Sequence, residues 1–447
     1  MKFIETLKNI WKIEDLRGRL VTTFLLVLIY RFGSYIVLPG IDPTALTALK
    51  AQTSGGLLAL LDMFSGGAFA NASVFALGIM PYISASIVIQ LLTIAVPSFQ
   101  KMQREGESGR RKMNQYTRYL TVLILLLQGP SYLINLNVQM AQAGATLPES
   151  FWFTASTTLI LAGGSMFVMW LGERITDKGI GNGISFIILV GIISRFPGAV
   201  IKEYASRLSD NGGGGLVMFL VEIVFLLLVI AASILLVQGT RKIPVQYAKR
   251  VVGNKQYGGV RQYIPLKINA AGVMPIIFAQ AIMFIPVTLA GFSHSESLNS
   301  FVGAFMNNTG VWYNLVFGLL IVAFTYFYTA ITINPTQMAD EMKRNNGFIP
   351  GIKPGKRTAE YLDEIMSRIT LPGSIFLAIV AIMPAFASLL GINQEFAQFF
   401  GGTSLLILVG VVLDTLQQIE SHLLMRHYDG LLKSGRIKGR SGGASAY

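Results

Sequence analysis

Apolar residues run almost unbroken through long stretches of this chain, without the alternation that marks a half-buried strand. Ten runs stand out, at residues 20–38, 72–96, 117–136, 151–171, 183–200, 216–237, 270–292, 311–333, 371–390 and 403–424. Each is close to the ~20 residues a helix needs to cross the hydrocarbon core of a bilayer. Only helices and closed barrels satisfy their backbone groups there. The pattern predicts an all-α, polytopic membrane protein with ten transmembrane helices.

The polar positions between the runs set the orientation. Alternating the connections between two membrane faces puts 31 of the 36 Lys and Arg residues on one face. The other face holds Lys50, Arg195, Lys202 and Arg207, and Arg31 lies within the first run. Loops rich in Lys and Arg stay in the cytoplasm, so both termini are expected there. Five runs lie in 20–200 and five in 216–424, joined by an outer loop at 201–215 that ends in four glycines. An odd number in each half gives the halves opposite orientation, the condition for two inverted five-helix repeats. Residues 1–19 place Phe3, Ile4, Leu7, Ile10, Trp11 and Ile13 at the spacing of an amphipathic helix on the cytoplasmic surface. Residues 425–447 form a cytoplasmic tail.

Three connections are more than links. In 55–71, a short apolar string at 57–64 lies between the pairs Gly55–Gly56 and Gly66–Gly67. Such a string covers roughly 12 Å as a helix, too little to cross. A helix that enters from outside and turns back fits, and so does a helix on the outer surface. The inner loops 238–267 and 334–370 carry seven and six basic residues. Topology needs a few charges, not loops of this length, so the pair reads as a docking surface.

Composition narrows the class further. With 52% hydrophobic and 13% charged residues, an ordinary soluble chain is excluded. The net charge of +13 belongs to loops facing anionic lipid and cytoplasmic partners, and does not require nucleic acid. Having no cysteine, the chain has no disulfide, thiolate metal site or Cys nucleophile. The first run starts about 20 residues in and lacks a small-residue cleavage site, so no cleavable signal peptide is expected.

Enzyme-like strings fail on inspection. Gly351-Ile-Lys-Pro-Gly355-Lys356-Arg357-Thr358 resembles a phosphate loop, but its glycines are one residue too close and Arg follows the Lys. Lys178-Gly-Ile-Gly-Asn-Gly183 resembles a dinucleotide loop but joins two membrane runs. His294, His422 and His427 have no metal-ligand arrangement. With no paired aspartates or Ser/His constellation in the runs, no catalytic site, metal or cofactor is expected. A charge at the centre of a membrane helix costs about 2.5–3.5 kcal/mol, so Arg31, Glu222 and Asp414 stand out. Arg31 and Asp414 are expected near mid-depth, as a pair, and Glu222 near the outer end, in reach of water. So few intramembrane acids count against a proton-coupled transporter, while a secondary transporter of a small solute stays as the alternative.

Several segments, read in order, resemble one family. They are Met63-Phe-Ser-Gly-Gly67, Ala76-Leu-Gly-Ile-Met-Pro-Tyr-Ile-Ser-Ala-Ser86, Glu105-Gly-Glu-Ser-Gly-Arg-Arg111, Gly179-Ile-Gly-Asn-Gly-Ile-Ser185, Pro265-Leu-Lys-Ile-Asn269 with Ala271-Gly-Val273, Asn334-Pro335, Pro350-Gly351 and Phe400-Gly-Gly-Thr-Ser-Leu-Leu-Ile407. Together they resemble the bacterial SecY/Sec61-alpha family, pore subunits of Sec translocons.

That resemblance implies a channel in the bacterial cytoplasmic membrane. It would pass unfolded preproteins across and release apolar segments sideways into lipid. It makes 55–71 a plug, carried by Leu57, Leu58, Leu60, Leu61, Met63 and Phe64. A constriction ring falls on Ile79, Ile83, Ile184, Ile188, Ile277 and Ile407. Two of these pairs are four residues apart and stack on one helix face, and stiff branched side chains offer a passing chain no hydrogen bonds. The second, third, seventh and eighth spans become a lateral gate with Ser84, Gln90, Gln128 and Asn269. The three amides form weak polar contacts across the closed seam or serve plain helix packing. SecA and ribosome docking falls on Arg241, Lys249, Arg250, Lys353, Lys356 and Arg357. Lys353 stands where proteobacterial relatives have Arg, keeping charge but losing the bidentate fork, which shifts the expected contact toward Arg357. The implied partners are SecE-type and SecG-type subunits, the SecA motor, the ribosome, preproteins with signal peptides and membrane lipids.

Overall fold

The computed structural model describes residues 11, 13–41, 62–142, 148, 150–208, 215–247, 250–252, 255–257, 261–290 and 310–433. The first ten residues, the plug positions Leu57, Leu58, Leu60 and Leu61, and Lys249 lie outside this set. In chain order the helices are α1 (Glu14–Gly33), α2 (Met80–Ala95), α3 (Pro97–Arg104), α4 (Glu107–Gln142), α5 (Phe151–Lys178), α6 (Gly183–Leu208), α7 (Gly215–Gln238), α8 (Met274–Ala290), α9 (Val311–Thr332), α10 (Pro335–Arg344), α11 (Lys356–Leu389), α12 (Gln394–Ala397) and α13 (Gly402–Lys433).

Each of the ten apolar runs overlaps one of these helices, although the first residues of 72–96 form turns. Among the described residues, seven helices are long and apolar enough to cross a membrane, or eight if the bent pair α2–α3 counts as one span. The other two runs, 20–38 and 270–292, correspond to α1 and α8. The bend of 102° between α2 and α3 follows from Pro97, because the residue before a proline is driven out of the helical region. Val96 accordingly sits at φ −116° and ψ 117°.

Helices start and stop where their local chemistry dictates, not where hydropathy changes. α1 begins at Glu14, because the polar Glu14–Arg19 stretch continues the helix with a first-turn Glu and Asp and an Arg19–Asp15 pair. α11 extends well before its apolar run, through an amphipathic segment that includes Leu362 and Met366.

The two long basic loops add a small β-structure to an otherwise helical fold. The described residues of 240–267 form antiparallel strand pairs. Strand β1 (Thr240–Tyr247) pairs antiparallel with β4 (Arg261–Lys267), with Ile243 opposite Ile264, and the short pair β2 (Arg250–Val252) and β3 (Lys255–Tyr257) lies toward the tip. Strand β5 (Gly347–Phe348), from the second loop, pairs with the end of β1 in the sheet order β4-β1-β5. Pro244 is tolerated because β5 reaches only Gln246 and Tyr247, so no ladder bond is missing on that side. Ile243, Val245 and Leu266 from the hairpin pack with Met342, Ile349, Leu362 and Met366 from the second loop. Two loops thus become one small domain with its own core. Alternation over a few residues in a basic loop is a faint signal beside ten apolar runs.

Within the membrane the core is threefold. One cluster joins Leu38, Ala72 and Phe69 to Leu133, Leu136 and Met140 of α4 and Leu161 of α5. A second joins α7, α8, α9, α11 and α13 through Val229, Ile276, Ile321, Leu377 and Leu406. The third lies between these two and draws on both ends of the chain.

Candidate functional site

The central cluster is built on the chain just before α2. Residues 62–64 are helical, turns follow to Ile79, and α2 starts at Met80 with Pro81 in its first turn. The segment is pinned to the end of α1 like a short strand, with Leu38 N–H donating to Ala72 O at 2.9 Å and Val74 N–H to Ile36 O at 2.9 Å. Met63 and Phe64 are buried in the same cluster as Ile79 and Ile83 of the α2 start, Ile188 of α6 and Ile407 of α13. Ile184 and Ile277 are half-buried and pack against it. All six ring positions named from sequence, and the two described plug positions, therefore meet in one apolar body.

Aromatic side chains close the cluster from the second half of the chain. Phe396, Phe399 and Phe400, from α12 and the 3₁₀ turn Gln398–Phe400, are buried there. Phe399 meets Phe196 of α6 edge-on at 5.0 Å, and Phe400 stacks near Phe225 of α7 at 5.8 Å. Beyond Phe400-Gly-Gly402, which belongs to a segment of the family resemblance, nothing in the connection 391–402 marks it in the sequence as part of the site. Its signal was three phenylalanines in a stretch too short to span.

Packing of the 62–67 turn against α6 depends on glycine at two facing positions, Gly66 and Gly191. A side chain on Gly191 would stand 2.8 Å from Phe64 O, and one on Gly66 would stand 2.9 Å from Gly191 Cα. Gly66 and Gly67 also take φ +64° and +94°, which L side chains rarely adopt.

The intramembrane charges fall differently from expectation. Because α1 runs Glu14–Gly33, Arg31 is in its last turn. It donates to Gly66 O at 2.8 Å and to Tyr35 Oη at 3.0 Å, and does not pair with Asp414, which is exposed on α13. Glu222 does not reach water. It is buried with Glu203, and Arg207 bridges them, Nε to Glu203 at 2.8 Å and Nη2 to Glu222 at 2.6 Å. Arg207 also donates to Gly391 O at 3.0 Å, and Glu203 accepts Asn393 N–H at 2.9 Å. Lys202 chelates Glu395 of α12 at 2.6 and 2.8 Å. Arg195 pairs with Asp62 of the plug stem. Apart from Glu203, four residues before Arg207 on the same helix, the partners of these α6 cations are illegible in the sequence because they lie in other segments.

The expected polar seam is unmet. Ser84, Gln90 and Gln128 are half-buried and Asn269 is buried. Gln90 Oε1 and Asn269 Oδ1 are buried acceptors without a hydrogen-bond partner among the described residues. Of the docking positions, Arg241, Lys353, Lys356 and Arg357 are exposed on the small β-containing domain, and Arg250 opens β2. Thr358 Oγ1 donates to Lys353 O at 3.0 Å, holding the 353–358 turn while its cations point outward.

A SecY family profile matches residues 73–416. The protein translocase subunit SecY of Thermotoga maritima is 40% identical over 444 residues, covering 98% of this chain and 99% of that one. The namesake from Streptomyces scabiei is 44% identical over 436 residues, covering 95% and 98%. Among solved structures, one titled as a protein conducting channel aligns with TM-score 0.60 at 17% identity, covering 91% of this chain and 92% of that one. Sec61 in the canine ribosome-channel complex aligns with TM-score 0.55 at 16% identity, again covering 91% and 92%.

Proposed function

The chain belongs to the SecY family, and from that premise we propose how this protein-conducting channel closes, opens and docks. It is a multi-pass membrane protein and a translocation channel, not an enzyme. The observation that supports the reading is the central cluster, which holds Ile79, Ile83, Ile188 and Ile407 together with Met63 and Phe64, with Ile184 and Ile277 packed against it. A thin apolar constriction excludes water when its side chains meet, so ions face a dehydration barrier. Ile79, Ile83, Ile184, Ile188, Ile277 and Ile407 form that ring, and 55–71 is the plug on its outer side.

Opening separates α2 and α4 from α8 and α9, releasing apolar segments into lipid. The unpartnered oxygens of Gln90 and Asn269 suit such a seam, because no cross-seam hydrogen bond has to break. The halves 20–200 and 216–424 move about the outer loop 201–215. Both termini and the β-containing domain face the cytoplasm, the side rich in Lys and Arg. The ribosome and a SecA-type motor dock on Arg241, Lys249, Arg250, Lys353, Lys356 and Arg357. SecE-type and SecG-type subunits complete the complex in the bacterial cytoplasmic membrane.

Reconstitution tests this. Proteoliposomes holding the channel with a SecE-type partner should protect a preprotein from external protease only when SecA and ATP are both supplied. Solute uptake down an ion gradient, with no preprotein protection, would overturn it.

A further inference from the structure

The plug stem is held on the channel by charge. Asp62, the first described residue of the stem, is buried, and its two carboxylate oxygens do different work. Oδ1 accepts Ala70 N–H at 2.7 Å, folding the stem back on itself, and Oδ2 pairs with Arg195 of α6. The same turn is gripped from α1, where Tyr30 Oη donates to Ser65 O at 3.0 Å and Arg31 Nη1 to Gly66 O at 2.8 Å. The backbone fits this grip closely. A side chain at Gly67 would stand 3.3 Å from the Arg195 guanidinium, and one at Gly66 would stand 2.8 Å from Arg31 Nη1. Two guanidinium groups from different helices thus converge on one short turn that carries one carboxylate.

We propose that Asp62 and Arg195 form an electrostatic latch, with Arg31 and Tyr30 as its second anchor, that positions the plug stem over the isoleucine ring and must release for the channel to open. This rests on reading 55–71 as the plug. Apolar contacts alone fix position weakly, because Met63 and Phe64 can slide on isoleucine at little cost. A carboxylate between fixed donors has one site. Leaving it strands a charge in a poorly hydrated place, which makes release a discrete step. Ion pairing also permits reversal, since water entering the opened mouth can solvate both partners.

The chain has no cysteine, so a single reporter is available. Ser65 is buried. In Ser65→Cys channels reconstituted into proteoliposomes, an impermeant maleimide on the outer side reads how often the stem lifts. Arg195→Gln and Asp62→Asn should each raise the labelling rate about tenfold, the change that about 1.4 kcal/mol produces. Arg195→Lys should return it toward the parent rate. The double variant should label no faster than Asp62→Asn alone, as a shared interaction requires. Unchanged labelling in both single variants, or effects that simply add, would overturn the latch. Protein yield and monodispersity are checked for each variant, and Arg195→Lys keeps the test decisive if neutralisation impairs folding. Preprotein transport by the parent channel is measured separately. Labelling that follows the pattern in a protein that transports nothing would reject the channel reading and keep the latch.

Discussion

Removing Arg207 should destabilise this protein more than removing any cation of the cytoplasmic face. Glu203, Arg207 and Glu222 are 1%, 8% and 2% exposed, so water screens none of them. Arg207→Met keeps the aliphatic stem but deletes the charge-assisted bonds to Glu203 and Glu222 and the bond to Gly391 O. Each bond to a charged group contributes about 1.5–3 kcal/mol, yet the larger effect is what stays behind. Two carboxylates would face each other without a cation, and breaking a buried pair in this way costs about 3–5 kcal/mol. Restoring neutrality should recover part of that loss. The triple variant Glu203→Gln, Arg207→Met, Glu222→Gln should be more stable than Arg207→Met alone, though Glu203 Oε2 would still have to serve Asn393 N–H. Thermal unfolding in detergent, followed by tryptophan fluorescence, reads both differences. A loss under about 1 kcal/mol in the single variant, or a further loss in the triple, would refute the assignment of a buried, charge-compensated cluster.

Four other outcomes follow from the same geometry. Replacing Ile83, Ile188 and Ile407 together with Ser should raise the resting ion conductance of proteoliposomes, and a membrane as tight as the parent's would remove these positions from the seal. Gly191→Val should push the plug stem off α6, because its side chain would meet Phe64 O within 2.8 Å; overpacking of this kind costs about 1–3 kcal/mol and should also raise leak. Charge reversal at both Lys353 and Arg357 should lower SecA-driven transport while the protein still inserts and accumulates, since both are exposed. In intact spheroplasts an impermeant thiol reagent should label Ser150→Cys, at the start of α5, and should leave Asn345→Cys, at the end of α10, unlabelled; the opposite pattern would invert the topology.

Lipid explains what could be read in advance. A bilayer forces every spanning backbone into helix and makes each apolar run long, so the stretches that form the long apolar helices are legible from composition alone. It does not dictate ends: Glu14–Arg19 extends α1 before its apolar run, which leaves Arg31 in the last turn of the helix. The hairpin 240–267 was missed because its buried positions, Ile243, Val245 and Leu266, are few and their partners lie in a different loop. The six isoleucines could be named only by resemblance, since the chain offers no local feature that separates Ile188 from its neighbour Ile187, and both are buried in the same cluster.

The charges of α6 show why the remainder stays hidden in a sequence. In lipid, one apolar surface packs on another about as well as on acyl chains, so greasy contacts supply little preference for one partner over another. Directional polar contacts must then decide which segment lies where. Along α6, Arg195 addresses the plug stem, Lys202 addresses α12, and Glu203 and Arg207 address α7 and the 391–393 turn. One helix thereby holds the closure of the pore and the second half of the chain through separate ion pairs. A displacement of α6 would have to strain every one of these pairs, whereas lifting the turn at Asp62–Gly66 breaks Asp62–Arg195 and the two bonds from α1 and leaves the bond from Tyr132 Oη to Phe69 O as a tether behind it.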